Sequence, residues 1–235
     1  MSLNFTNILS KVRRATGTNA ATYTSANIAI DVNLAQDEVW AEALKNAGWN
    51  IDDFNHTKHP IITTTLTAGQ RDYSFTVDEQ SNTILDVYKV QVKDATSGLY
   101  YDLLPVDQQS SDVETTMTDG ANSQGKPTRY DKTGNWLFLD LVPDTTVASG
   151  LRVFIDREPS YFTSSDTTKL SGLDGLCHDF LYLKPAYEYC RDHDLPRAEK
   201  LFRDLQISME KVKERYGYRE KDVTHRMSAM KQDNE

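Results

Sequence analysis

The sequence predicts an α+β protein: a four-helix bundle built from N- and C-terminal helices, with an antiparallel β-sandwich or barrel domain inserted between them. Three observations predict it. Both ends of the chain carry apolar residues at helical spacing, bounded by capping and stop signals. Residues 61–156 switch to period two and to β-branched side chains. Charge divides along the same lines. Residues 52–174 hold 19 acidic and 10 basic side chains, whereas 1–49 hold four of each sign and 176–235 twelve of each, so the formal net charge of −9 lies in the β segment. The predicted organisation is 1–56 as the first helical part, 57–170 as the inserted β domain, 171–217 as the second helical part of the same bundle, and 218–235 as an extended tail.

The first helix is expected over residues 3–15, where Phe5, Ile8, Leu9 and Val12 form a stripe and Lys11, Arg13 and Arg14 gather where the helix dipole favours cations. Gly17 ends it. Thr24 or Ser25 caps a second helix running to about residue 47, with Ile28, Val32, Ala35, Val39 and Ala43 on one side and Trp40 and Leu44 widening the stripe, and Gly48 as its stop. Strands are expected at 61–66, 72–77, 83–93, 99–104, 127–131, 136–141 and 151–156. Turn signals stand at Ala68-Gly69, Ser97-Gly98, Thr133-Gly134-Asn135 and Pro143-Asp144. Residues 106–124 are polar and read as a long loop, with room for a helical turn. No crossover helix is evident, which predicts antiparallel pairing throughout.

After Gly175 a third helix carries Leu176, Phe180, Leu183 and Tyr187, with Pro185 expected to kink it. Asp194 is expected to cap the fourth helix, with Pro196 in its first turn. Ala198, Phe202, Leu205, Met209, Val212 and Tyr216 follow at 4-3-4-3-4 spacing, and Gly217 closes the helix. Four one-sided helices split between the termini can bury their stripes only against each other.

Composition excludes several classes. Aromatic residues at 10% argue for a folded chain, and no apolar run reaches membrane-spanning length, so no membrane role is expected. Cys177 and Cys190 are too far apart along one helix to bridge and are expected as reduced thiols. With His178 and His193 nearby they lack metal-ligand spacing, so neither a metal nor a cofactor is expected. His56 with His59 and Asp52 with Asp53 read as linker and turn residues. Asp140, Asp144, Asp156 and Glu158 could supply a glycosidase pair, and Tyr100, Tyr101, Tyr130, Trp136 and Tyr161 could stack on sugars. Strand acids and cross-strand aromatics are the more economical reading. The cations of the last helix and tail are interleaved with acids, which disfavours sequence-specific DNA binding. No catalytic residue is assigned. The interface candidates are Arg197, Arg203, Lys211, Arg215, Arg219 and Arg226.

Four segments carry a resemblance. They are Thr67-Ala68-Gly69-Gln70-Arg71-Asp72-Tyr73, then Gly125-Lys126-Pro127-Thr128-Arg129-Tyr130, then Trp136-Leu137-Phe138-Leu139-Asp140-Leu141-Val142-Pro143-Asp144, and Glu158-Pro159-Ser160-Tyr161-Phe162. In this order and between helical ends, the chain resembles the adaptor, or head-to-tail connector, proteins of tailed bacteriophages, especially the short-tailed type, over about residues 20–217. The resemblance implies a non-enzymatic virion protein of the head–tail neck, made in the host cytoplasm. It implies identical subunits in a ring, commonly of twelve, below the portal protein, extending the DNA channel and docking a tail or nozzle protein. An acidic β segment near that channel would let passing DNA slide. The tail at 218–235 matches nothing in the resemblance and is expected to order against the portal. The alternatives are a carbohydrate-binding module or small glycosidase on the β segment, or a tail-completion protein.

Overall fold

The computed structural model describes residues 3–47, 61–78, 81–106 and 123–217. Helix α1, Phe5–Thr16, begins at Asn4, whose side chain accepts from the Asn7 amide at 2.9 Å. It ends at Gly17, which takes φ 75° and donates its N–H to the Arg13 carbonyl. Helix α2, Ser25–Ala47, is capped by Thr24, whose hydroxyl accepts from Asn27 N–H at 3.2 Å. Its expected stop, Gly48, lies outside the described residues, as do the tail and the His56, His59, Asp52 and Asp53 positions.

The closing helices differ from expectation in their details. Leu176 does not begin helix α3. A 3-10 turn, Gly175–Cys177, comes first, capped by the Asp174 carboxylate, and α3 proper spans His178–Asp192. The tighter turn rotates Leu176 outward, leaving it exposed, while Cys177, Phe180, Leu181, Leu183, Ala186 and Cys190 are buried. The helix is continuous through Pro185, which is itself buried. Asp194 does not cap the next helix; it terminates this one. At φ 51° its N–H bonds the Arg191 carbonyl while Leu195 N–H bonds that of Cys190, the 5→2 and 6→1 pair of a Schellman stop. Helix α4 is Ala198–Gly217, with Pro196 just ahead of it. Its buried face is Leu201, Leu205, Ser208, Val212 and Tyr216. Phe202 has left that face to pack on Tyr187, ring centroids 5.3 Å apart.

All four helices contribute to one hydrophobic cluster. α3 packs against each of the other three, α2 also against α4, and α1 and α2 barely touch. The opening and closing pairs therefore share a core, as their one-sided stripes require. His178 pins the chain's start to it. Its Nδ1 accepts the Leu3 N–H at 2.9 Å, so the ring proton sits on Nε2, facing the Leu173 carbonyl at 2.9 Å and Ser171 Oγ at 3.1 Å. Burial holds its pKa below the ordinary 6.5. The unfolded chain then binds the extra proton more readily than the native one. Stability is full above the ordinary value and falls as pH drops through it towards the lowered one. Asp37 and Asp156, both pushed up chiefly by burial, act in the opposite sense. The drop in Tm between pH about 7.5 and about 5 should therefore be smaller in His178→Gln than in the parent, with the difference assigned to this ring.

The β segment holds ten strands among the described residues: β1 Ile61–Leu66, β2 Asp72–Ser74, β3 Ile84–Lys93, β4 Tyr100–Asp102, β5 Leu104–Pro105, β6 Gln124–Gly125, β7 Arg129–Thr133, β8 Trp136–Leu139, β9 Val142–Pro143 and β10 Val147–Arg157. They form sheets ordered β1-β10-β3-β4, β2-β8-β7-β5 and β6-β9. None closes into a barrel: the edge strands β1 and β4 of the first sheet do not pair with each other, nor do β2 and β5 of the second. The buried Leu103 links β4 in one sheet to β5 in the other, its N–H bonded to the Val90 carbonyl. Val90, Val92, Leu151 and Val153 of one sheet meet Tyr73, Tyr130, Leu137 and Leu139 of the other in a second core. Pairing is not antiparallel throughout: β5–β7 and β6–β9 are parallel. The two strands β5 and β7 stand far apart in sequence, the separation that a parallel return needs.

From Arg157 to Ser171 the chain is strapped along α2. The Trp40 indole donates to the Arg157 carbonyl, and Gln36 Nε2 to that of Ser171, both at 2.8 Å. Asn33 bonds both the N–H and the carbonyl of Phe162, and Tyr161 donates its hydroxyl to Asp37.

Candidate assembly surface

Two of the acids that might have formed a catalytic pair, Asp140 and Asp144, have structural work. Asp140 is buried and accepts from the Thr128 N–H and hydroxyl and from the Leu141 N–H, fixing the loop before β7. Asp144 takes the Thr145 hydroxyl. Asp156 stands opposite Asp86 across the β10–β3 ladder, and burial followed by that like charge raises its pKa. Asp86 is in turn paired with Lys132. Among the described residues no group of three His, Cys, Asp or Glu side chains is placed to hold a metal ion. Both cysteines are buried and free, and burial pushes the Cys177 thiol up to about 11.

The aromatics do not form a sugar platform. Tyr100 lies under the Arg152 guanidinium, 3.7 Å from the ring centroid, and donates to the Ser149 carbonyl. Tyr101 lies under the Lys126 ammonium and donates to the Pro127 carbonyl. Tyr130 is buried and Tyr161 is tied to Asp37; Trp136 alone of the five is exposed. The segment from Thr67 to Tyr73 is likewise architectural. The Tyr73 hydroxyl accepts the Thr67 N–H and donates to the Gln70 carbonyl, and Arg71 Nε donates to the Leu139 carbonyl at 2.6 Å.

The six interface candidates are spread apart. Arg197 reaches the end of α1, with its Nη1 3.4 Å from the Ala15 carbonyl and close over Gly17. Arg215 makes a two-point contact with Asp174, Nε at 2.9 Å and Nη2 at 2.7 Å, locking α4 to the 3-10 turn. Arg203 pairs with Glu199 one turn back on exposed helix, and Lys211 is exposed with no ion pair among the described residues. Arg219 and Arg226 lie outside the described residues.

Sequence reasoning missed three exposed apolar side chains on the helices. Ile30 and Leu34 on α2 and Ile207 on α4 are 59%, 53% and 52% accessible. The signal was present: Ile30 and Leu34 fall off the buried stripe of α2 at a separation of four, which puts them together on its outer face. With apolar side chains left outward on two helices, the molecule presents surface suited to contact with another protein.

Over residues 3–226 the sequence matches the family model described as SU10 adaptor protein, and the chain belongs to that family. No curated protein matches it. Membership implies a phage head–tail adaptor role, a place in the virion and contact with other virion proteins, and it points away from catalysis. Among the described residues no helix is long and apolar enough to cross a membrane.

Proposed function

We propose that this protein is the ring-forming adaptor between phage head and tail. Identical subunits, twelve in number, close into a ring below the portal, extend the DNA channel and offer their far side to a tail or nozzle protein. The four helices act as a bundle with residues 57–170 as an inserted β domain, and residues 218–235 as a tail that meets the portal. The match over residues 3–226 carries this reading. The concentration of negative charge in residues 52–174 supports it, because anionic walls repel the DNA backbone and let it pass.

An interface role is proposed for Arg197, Arg203, Lys211, Arg215, Arg219 and Arg226. Arg203 and Lys211 are the informative pair to replace, since neither holds the helices to each other. Mixing the purified protein with portal and weighing the products tests the reading. A large complex containing many adaptor copies per portal ring is expected. Absence of any complex, or binding and turnover of glycans instead, would overturn it in favour of the carbohydrate alternative. A complex holding only one or two copies would favour a tail-completion role.

A further inference from the structure

We infer that the outer face of α2 on one subunit docks against the outer face of α4 on its neighbour, with Ile30 and Leu34 meeting Ile207. This rests on the ring reading above and names the surface that closes it. Helices α2 and α4 turn their buried faces towards the same core, Ile28, Val32 and Val39 on one and Leu201, Leu205 and Val212 on the other. At about 100° per residue, Ile30, Leu34 and Ile207 project on the opposite sides of their helices. The two outward faces diverge, so they cannot cover each other within one chain. A contact between them must be heterologous, head to tail between copies.

Charge selects this pairing over its competitors. Ile30 and Leu34 are bordered by three carboxylates, Asp31, Asp37 and Glu38, with no cation on α2 before Lys45. Two α2 faces brought together would set those acids against each other. On α4, Lys200 and Lys211 run with Asp204 along one edge of Ile207, and the two lysines make no ion pair among the described residues. Glu210 and Glu214 lie with Arg203 along the other edge, so the first edge is the more cationic. The cationic edge is the one that complements α2. The cleft beside Ile30 adds Glu188, Asp192 and Arg191 from α3. Lys184 pairs with Glu38 and Glu188 and Arg191 with Asp192, and the acids still outnumber the cations along this border.

Disulfide trapping with the full chain tests the contact. One batch carries Leu34→Cys and a second Ile207→Cys; both positions are more than half exposed, so neither substitution disturbs a core. Cys177 and Cys190 are buried and contribute no background. On mild oxidation of concentrated protein, a covalent dimer should form in the mixture and be lost when either batch is oxidised alone. It should also weaken as salt is raised. A chain carrying both substitutions should give a ladder whose last band counts the subunits of a closed ring. No cross-link in the mixture, or a stronger one within either batch alone, would overturn the inference. If the cross-link forms while the protein ignores portal, the adaptor reading falls and the contact stands; the reverse result removes the contact alone.

Discussion

Asp78→Ala should destabilise the protein by about 3–5 kcal/mol, the effect of stripping one partner from a buried ion pair. Arg157 Nη1 bonds the Asp78 carboxylate with both side chains almost wholly buried, 2% and 5% accessible. The same carboxylate accepts the Asn82 N–H at 2.8 Å and Asn82 Nδ2 at 3.1 Å, which holds the turn leading into β3. Arg157 is the last residue of β10, and its carbonyl receives the Trp40 indole from α2. Turn, central strand and first long helix therefore converge on one pair. Removing the acid leaves a guanidinium enclosed at the junction and frees the turn, so a urea titration should show a lower midpoint.

The diagnostic comparison is the double replacement Asp78→Leu with Arg157→Met. Deleting both charges removes the desolvation cost along with the attraction, so most of the lost stability should return. A double variant as unstable as Asp78→Ala would show that contacts to the remaining partners of Asp78 and Arg157, not the charge pairing between them, set the stability here.

The helices were legible because their information is local. Thr24 and the stripes of α1 and α2 lie where capping and periodicity place them, while the first helix starts at Phe5 with Asn4 as its cap rather than at residue 3. The closing helices were readable in kind but not in phase. A 3-10 turn before α3 and an Asp in the left-handed region after it shift the helical register, and neither has a strong sequence signature. In the β segment the alternation located strands but not partners. Parallel pairing of β5 with β7 and the crossing between sheets at Leu103 depend on contacts far apart in sequence. At the candidate surface, Arg197 and Arg215 read as free cations until the fold put Ala15 and Asp174 beside them. Ile30 and Leu34 were overlooked for another reason. They lie off the apolar stripe of α2, four residues apart, and a reading that follows only the stripe passes over them.

Gly150 was not singled out by the sequence, where it sits in an ordinary Ser-Gly pair. Gly150→Ala should cost about 1–3 kcal/mol, and Gly150→Val more. A Cβ added there would stand 2.6 Å from the Val147 carbonyl oxygen, 2.6 Å from Leu66 Cβ and 2.8 Å from Val147 Cβ. None of these is the loose end of a side chain. The first is backbone of β10 itself, and the second is fixed to β1 where the ladder register shifts between Thr64 and Leu66. The preceding Ser149, at φ 51°, bends β10 at the same point, so strand β1 rides over a backbone with no side chain beneath it. Adding one must push β1 away from β10 and open the core around Leu66 and Leu151. Leu66→Ala should not rescue the variant, because the obstructing atom is Cβ, which alanine keeps. Gly125→Ala is the control: its new Cβ would meet only Leu141 Cδ1, at 3.2 Å, and a leucine methyl can turn aside. A thermal melt should show Gly150→Ala well below the parent and Gly125→Ala close to it; equal melting of the two would mean that β1 does not lie against β10 at this point.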